Sequence, residues 1–148
     1  MIKIIDKNIL ESTEDILCQQ VNCRGTMGKG LGLSLRIHFP EVYYTYLIHC
    51  QKNKYSKYML GTVQYVTTRR NIVANMFSQY EYGTSKCYTD YNAMRKCFTE
   101  INKLNKSVAI PYGIGCGLAG GEWHIVYNII NEIFGGRDDV TIYRYENN

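Results

Sequence analysis

The chain has 148 residues, of which 45% are hydrophobic and 20% charged, with a formal net charge of +4. That balance predicts one soluble globular domain with a proper core, and no apolar run approaches the ~20 residues that span a bilayer. Asp6 interrupts the apolar start, so neither a membrane contact nor a signal peptide is expected, and the cytoplasm is the expected compartment.

Residues 2–5 read as a first strand and residues 15–22 as a second. From Gly28 to Phe39, Leu31, Leu35 and His38/Phe39 recur at helical spacing. Pro40 ends that helix and opens the next, through Tyr43, Leu47 and Cys50. Residues 61–67 alternate as a strand, and residues 71–77 are its neighbour across a hairpin at Arg69-Arg70-Asn71. A polar loop, 78–88, follows. Asp90 or Thr89 caps a helix carrying Tyr91, Met94, Cys97/Phe98, Ile101 and Leu104 on one face. Residues 108–112 are a strand, a helix begins near Trp123 and stops at Gly135-Gly136, and residues 140–145 are a last strand. This alternation predicts an α/β fold: a three-layer α/β/α sandwich around a mixed, mostly parallel sheet.

Two glycine loops stand out. Gly113-Ile114-Gly115-Cys116-Gly117-Leu118-Ala119-Gly120-Gly121 follows the strand at 108–112 and precedes a helix, and Gly25-Thr26-Met27-Gly28-Lys29-Gly30 has the same setting. Glycines let backbone N–H groups turn toward a ligand, and a helix N-terminus adds partial positive charge. Two such loops at the carboxyl edge of one sheet suit two linked phosphates.

Six cysteines form no Cys-x-x-Cys pair and stand near no histidine cluster, which argues against zinc. Most are expected in the core, the alternative at Cys23 and Cys116 being a reactive thiol beside a loop. The mild positive charge suits an anionic small molecule as well as nucleic acid, and no basic stripe is visible.

The segments Ile5-Asp6-Lys7-Asn8-Ile9, Gln20-Val21-Asn22-Cys23-Arg24-Gly25-Thr26-Met27-Gly28-Lys29-Gly30, Ile110–Leu118 and Thr141–Tyr145 resemble the macro domain family, in that order and spacing. The likeness is greatest to the branch of ADP-ribose-1''-phosphate phosphatases and terminal ADP-ribose glycohydrolases. The resemblance implies that residues 1–148 form a single macro domain that binds ADP-ribose or a related NAD-derived nucleotide without a cofactor. It places adenine at Asn8 and Tyr145, with Asn8 standing where relatives usually carry an aspartate, and counts Ile9 among the ligand-binding residues. It places the diphosphate on Gly28, Lys29, Gly30 and Leu31, and on Gly113, Ile114, Gly115, Cys116, Gly117 and Leu118. Ser78 joins this ligand-binding set, and Asn22, on the distal ribose, is the expected catalytic residue. An amide offers the donor and acceptor a diol requires, the alternative being that Asn22 organises a turn.

The resemblance also brings departures. Glycohydrolases of that branch use a lysine and an acid where this chain has Ser78-Gln79 and Ala119, and Lys86 sits too far along its loop to replace the lysine. Asp90 reads as a helix cap, the alternative being a base, and His124 as a first-turn surface residue, the alternative being a general acid or base. The expected activity is slow hydrolysis of ADP-ribose-1''-phosphate or a related ADP-ribosyl linkage. The alternatives are a binding module that reads ADP-ribosylated macromolecules or sequesters NAD-derived nucleotides, and a remover of ADP-ribose from nucleic acid.

Overall fold

The computed structural model describes residues 2–145. Ten regular elements follow the order expected from the sequence: β1 (Lys3–Asp6), β2 (Ile16–Val21), α1 (Gly30–His38), α2 (Pro40–Lys52), β3 (Val63–Thr67), β4 (Ile72–Phe77), α3 (Tyr91–Asn102), β5 (Val108–Pro111), α4 (Trp123–Phe134) and β6 (Val140–Arg144). Short 3-10 turns at Ile9–Glu11 and Lys57–Met59 were not anticipated. No helix among the described residues is long and apolar enough to cross a membrane.

The sheet order is β1-β6-β5-β2-β4-β3. The strands that read as nearly continuous apolar runs take the middle, because a central parallel strand is covered on both faces. β2 pairs parallel to β4 and to β5, β5 to β6, and β6 to β1. Only β3 runs antiparallel, at one edge. The turn into β4 is held by Thr68, whose Oγ1 accepts the N–H groups of Arg70 and Asn71 at 3.1 Å.

Alternate residues along β2 serve opposite faces. Ile16 and Cys18 pack with Met94, Phe98, Ile130 and Phe134 of α3 and α4, where the Phe98 and Phe134 rings meet edge to face with centroids 5.6 Å apart. Leu17 and Val21 pack with Leu35, Val42, Tyr46 and Cys50 of α1 and α2. The result is the expected three-layer α/β/α sandwich. Because five strands run parallel, the segments after β1, β2, β4, β5 and β6 all emerge along one rim.

Several boundaries differ from expectation for local reasons. The first strand is shifted by one residue, with Ile2 buried beside it. The first helix begins at Gly30 rather than Gly28, because Lys29 is extended at φ −144° and ψ 159°. α3 stops at Asn102, leaving Leu104 42% exposed and off the buried face. The last strand ends at Arg144, so Tyr145 projects beyond it. Cys18, Cys23, Cys50 and Cys97 are buried as core residues, whereas Cys116 is half-buried and Cys87 exposed.

Candidate ligand-binding groove

Three adjoining cavities follow the rim. One of about 390 Å³ lies between the loop after β2 and residues 82–84, walled by Asn22, Gly28 and Lys29. A middle cavity of about 270 Å³ lies between the start of α1 and the loop after β5. A third, of about 410 Å³, is bounded by Asn8, Ile9, Tyr112 and Tyr145. The first two share Gln19, Lys29 and Gly32, and the last two share Gly30, Leu31 and Tyr112. They therefore form one groove.

The middle of this groove is made of main chain. Lys29, at the N-cap of α1, makes no side-chain cap, and the Leu33 N–H donates back to the Lys29 carbonyl at 3.2 Å. The N–H groups of Gly30, Leu31 and Gly32 are thus the unpaired donors of the first turn, with the positive end of the helix dipole behind them. Opposite, Ile114 N–H donates to Pro111 O at 3.1 Å and Cys116 N–H to Gly113 O at 2.8 Å. Those turns leave the N–H groups of Gly115, Gly117 and Leu118 without an acceptor among the described residues.

The glycines divide into two kinds. A Cβ added at Gly28, Gly30, Gly113 or Gly117 would meet no protein atom within 4 Å, so these glycines border open groove. Gly115, at φ +75°, is packed instead: a Cβ there would lie 2.9 Å from Met94 Cε and 3.0 Å from Gln20 Oε1 and Thr89 Oγ1.

A buried network sets the spacing of the two loops. Gln20 Nε2 donates to Gln79 Oε1 at 2.9 Å and to Thr89 Oγ1 at 3.0 Å, while Gln20 Oε1 accepts from the Ser78 hydroxyl at 2.7 Å. The Thr89 hydroxyl donates to the Gly115 carbonyl at 2.6 Å, tying the second loop to the end of β2. On the other face of β2, Gln19 donates from Nε2 to Asn75 Oδ1 at 2.7 Å.

Asn22 wall the first cavity with its amide already engaged. Its Oδ1 accepts from the N–H groups of Arg24 (2.9 Å) and Thr26 (3.3 Å) and from the Tyr46 hydroxyl (2.8 Å). Its Nδ2 donates to Thr26 O at 2.9 Å, which leaves one amide hydrogen for a ligand. Asn22 thus organises the turn, and it faces the groove as a donor rather than as the donor–acceptor pair a diol would use. Asn8 caps the first 3-10 turn, accepting the Leu10 N–H on Oδ1 at 3.0 Å, and retains one carbonyl lone pair and its amide hydrogens. Tyr145 stands 58% exposed at that end.

The groove gathers Asn8, Ile9, Asn22, Gly28, Lys29, Gly30, Leu31, Gly113, Ile114, Gly115, Gly117, Leu118 and Tyr145. Ser78 and Cys116 line none of the three cavities; Ser78 is fully buried beneath the rim. Burial pushes the Cys116 thiol up to about 11 and the Cys23 thiol up to about 12, so both stay protonated at neutral pH and are poor nucleophiles. Asp90 is the cap of α3, its Oδ1 accepting the Ala93 N–H at 2.9 Å. His124 is exposed away from the groove, and the Lys86 ammonium lies over the Tyr88 ring. Lys29 and Tyr82 are the only titratable side chains among the described residues that wall the first cavity.

Sequence reasoning missed Gln19, Gln20, Thr89 and Gly32. A usable signal was present: two adjacent glutamines precede the last residue of an otherwise apolar central strand, and amides removed from water there need partners.

No protein-family model matches the chain. A DNA ADP-ribosyl glycohydrolase from Thermus aquaticus is 25% identical over 154 residues, a match covering 99% of this chain, and the chain spans 41% of that relative's length. The macrodomain of Mycobacterium tuberculosis DarG superposes with a TM-score of 0.79 at 25% identity, covering 100% of this chain and 99% of the other. Thermosipho africanus DarTG, solved in complex with ADP-ribose, superposes with a TM-score of 0.77 at 21% identity, covering 95% of this chain and 40% of the other. With two glycine loops facing one another across a shared rim, these likenesses make the chain a macrodomain by fold.

Proposed function

We propose that the groove binds ADP-ribose end to end and that the chain hydrolyses an ADP-ribosyl derivative, ADP-ribose-1''-phosphate being the simplest. The observation that carries this reading is the groove's division into three, with main-chain donors in its middle third. A pyrophosphate is an acceptor-only dianion, which matches the first turn of α1 and the amides of Gly115, Gly117 and Leu118. Adenine then lies on Tyr145 with its edge at Asn8 and Ile9. The distal ribose lies by Asn22. The choice of ADP-ribose as ligand is supported by the likeness to the Thermus aquaticus DNA ADP-ribosyl glycohydrolase and to the Thermosipho structure solved with ADP-ribose.

In the hydrolysis, water attacks the terminal phosphorus and ADP-ribose leaves with its 1''-oxygen, giving inorganic phosphate. Loop amides oppose the developing negative charge, and the bound sugar holds the reacting bond in place. No carboxylate or imidazole lines the first cavity among the described residues, so turnover is slow. The same observation favours a second reading, in which the groove holds the ADP-ribosyl group of a modified macromolecule without cleaving it.

Calorimetry with ADP-ribose tests the groove, and phosphate release from ADP-ribose-1''-phosphate tests turnover. Micromolar binding with phosphate release that an Asn22→Ala substitution abolishes supports the hydrolase. Binding with no release supports the second reading. Absence of ADP-ribose binding refutes both.

A further inference from the structure

Three side-chain amides lie abreast on the sheet face under α1 and α2. Gln19 of β2 is in register with Asn75 of β4, which is in register with Gln64 of β3. Gln64 Nε2 donates to the Thr45 carbonyl of α2 at 3.1 Å. A backbone carbonyl only accepts, so Gln64 must turn its nitrogen to α2 and its oxygen to Asn75. Asn75 Nδ2 then donates to Gln64 Oε1 at 3.2 Å, and Asn75 Oδ1 accepts from Gln19 Nε2 at 2.7 Å. The other hydrogen of Gln19 Nε2 points to Met27 Sδ, 3.8 Å away. One carbonyl thus fixes the sense of all three amides, and the last presents only its oxygen, Oε1, to the groove.

Gln19 is 2% exposed and walls both the first and the middle cavity, and its Oε1 lies 3.6 Å from where a Cβ on Gly32 would be. An acceptor is out of place among phosphate-binding amides, since it repels an anion and goes unpaired against one. It fits a hydroxyl group. Resting on the ADP-ribose reading, we infer that Gln19 Oε1 accepts a hydroxyl of the sugar beyond the diphosphate and so selects a nucleotide sugar over a nucleoside triphosphate. Asn75 and Gln64 are positioning residues that act through it.

Calorimetry with ADP-ribose and with ATP tests this, with thermal melts to establish that each variant is folded. Wild type prefers ADP-ribose. Gln19→Met, which removes the acceptor, lowers ADP-ribose affinity about tenfold and leaves ATP affinity no weaker. Gln64→Lys, remote from the groove, supplies only a donor to Asn75. It reverses the row and turns Gln19 Nε2 to the ligand, so ADP-ribose binding weakens while ATP binding strengthens. Added positive charge alone would strengthen both. Gln64→Glu keeps the original sense and keeps the preference. Variants that lose the two ligands equally, a Gln64→Lys protein that binds both more tightly, or a wild type that binds ATP as well as ADP-ribose overturn the inference and spare the groove. A wild type that binds neither overturns the groove assignment as well.

Discussion

The Tyr46 hydroxyl of α2 lies 2.7 Å from the backbone oxygen of Asn22 and 2.8 Å from its Oδ1, sharing one proton between them. The first glycine loop is therefore anchored from the helix layer beneath it. Tyr46 is fully buried, and burial holds its hydroxyl well above the usual tyrosine range, so this donor persists at any pH the fold survives. Tyr46→Phe leaves the Asn22 backbone oxygen without its donor, while Asn22 Oδ1 keeps the N–H groups of Arg24 and Thr26. It should lower stability by about 1–2 kcal/mol, a fall in Tm of about 3–8 °C, and weaken ADP-ribose binding through a looser loop. Thermal melts and calorimetry on the same samples check both.

Gly28 and Gly117 give the sharpest separation of binding from folding. Neither has a positive φ, and a methyl on either points into open groove. Gly28→Ala and Gly117→Ala should leave Tm unchanged, or raise it by restricting the unfolded chain by about 0.4–1 kcal/mol. Each should cost more than tenfold in ADP-ribose affinity by filling the space the ligand needs. Gly115→Ala should do the opposite first: the backbone is left-handed, and the methyl meets Met94, Gln20 and Thr89, so Tm falls before any ligand is added.

What the sequence made legible followed from residues with few other uses. Clustered glycines between a strand and a helix marked both loops. The alternation of strands and helices marked a mostly parallel sheet, and hence a shared rim. The use of side-chain hydrogen bonds was not legible, because partners came from distant elements. Asn22 is engaged by Tyr46, 24 residues away, and Gln20 by Thr89, 69 away. The resemblance put Ser78 in the ligand-binding set, but the chain turns it inward, where its hydroxyl holds Gln20. The Gln19–Asn75–Gln64 row exists only once three strands are in register, and no local pattern encodes that.

Alkaline pH should unfold the protein before it does anything specific to the groove. Burial raises Cys23, Cys97 and Cys116 to about 12, 12 and 11 from a usual value of 9.0, and raises Tyr46, Tyr65 and Tyr143 above theirs of 10.0. A raised pKa means that the unfolded chain releases these protons first. Their contribution is complete below about pH 8.5 and is lost as pH climbs toward the folded values. Tm should be level from pH 7 to 8 and drop steadily above pH 9. A Tm that stayed level to pH 11 would contradict the burial of these groups.

Tyr145 stands at the adenine end of the proposed ligand. It extends past β6 with 58% of its surface exposed, and with Asn8 and Tyr112 it lines the third cavity. An exposed ring contributes little to folding, so Tyr145→Ala should leave Tm within about 2 °C, as expected for a change worth less than ~0.5 kcal/mol. Stacking of a base on an aromatic ring contributes about 1–3 kcal/mol, so the same substitution should weaken ADP-ribose binding about 5- to 150-fold. Tyr145→Phe keeps the π face and should bind nearly as wild type. Ribose 5-phosphate, which lacks adenine, should bind wild type and Tyr145→Ala equally. Calorimetry that found ADP-ribose equally indifferent to Tyr145→Ala would move adenine off this end of the groove.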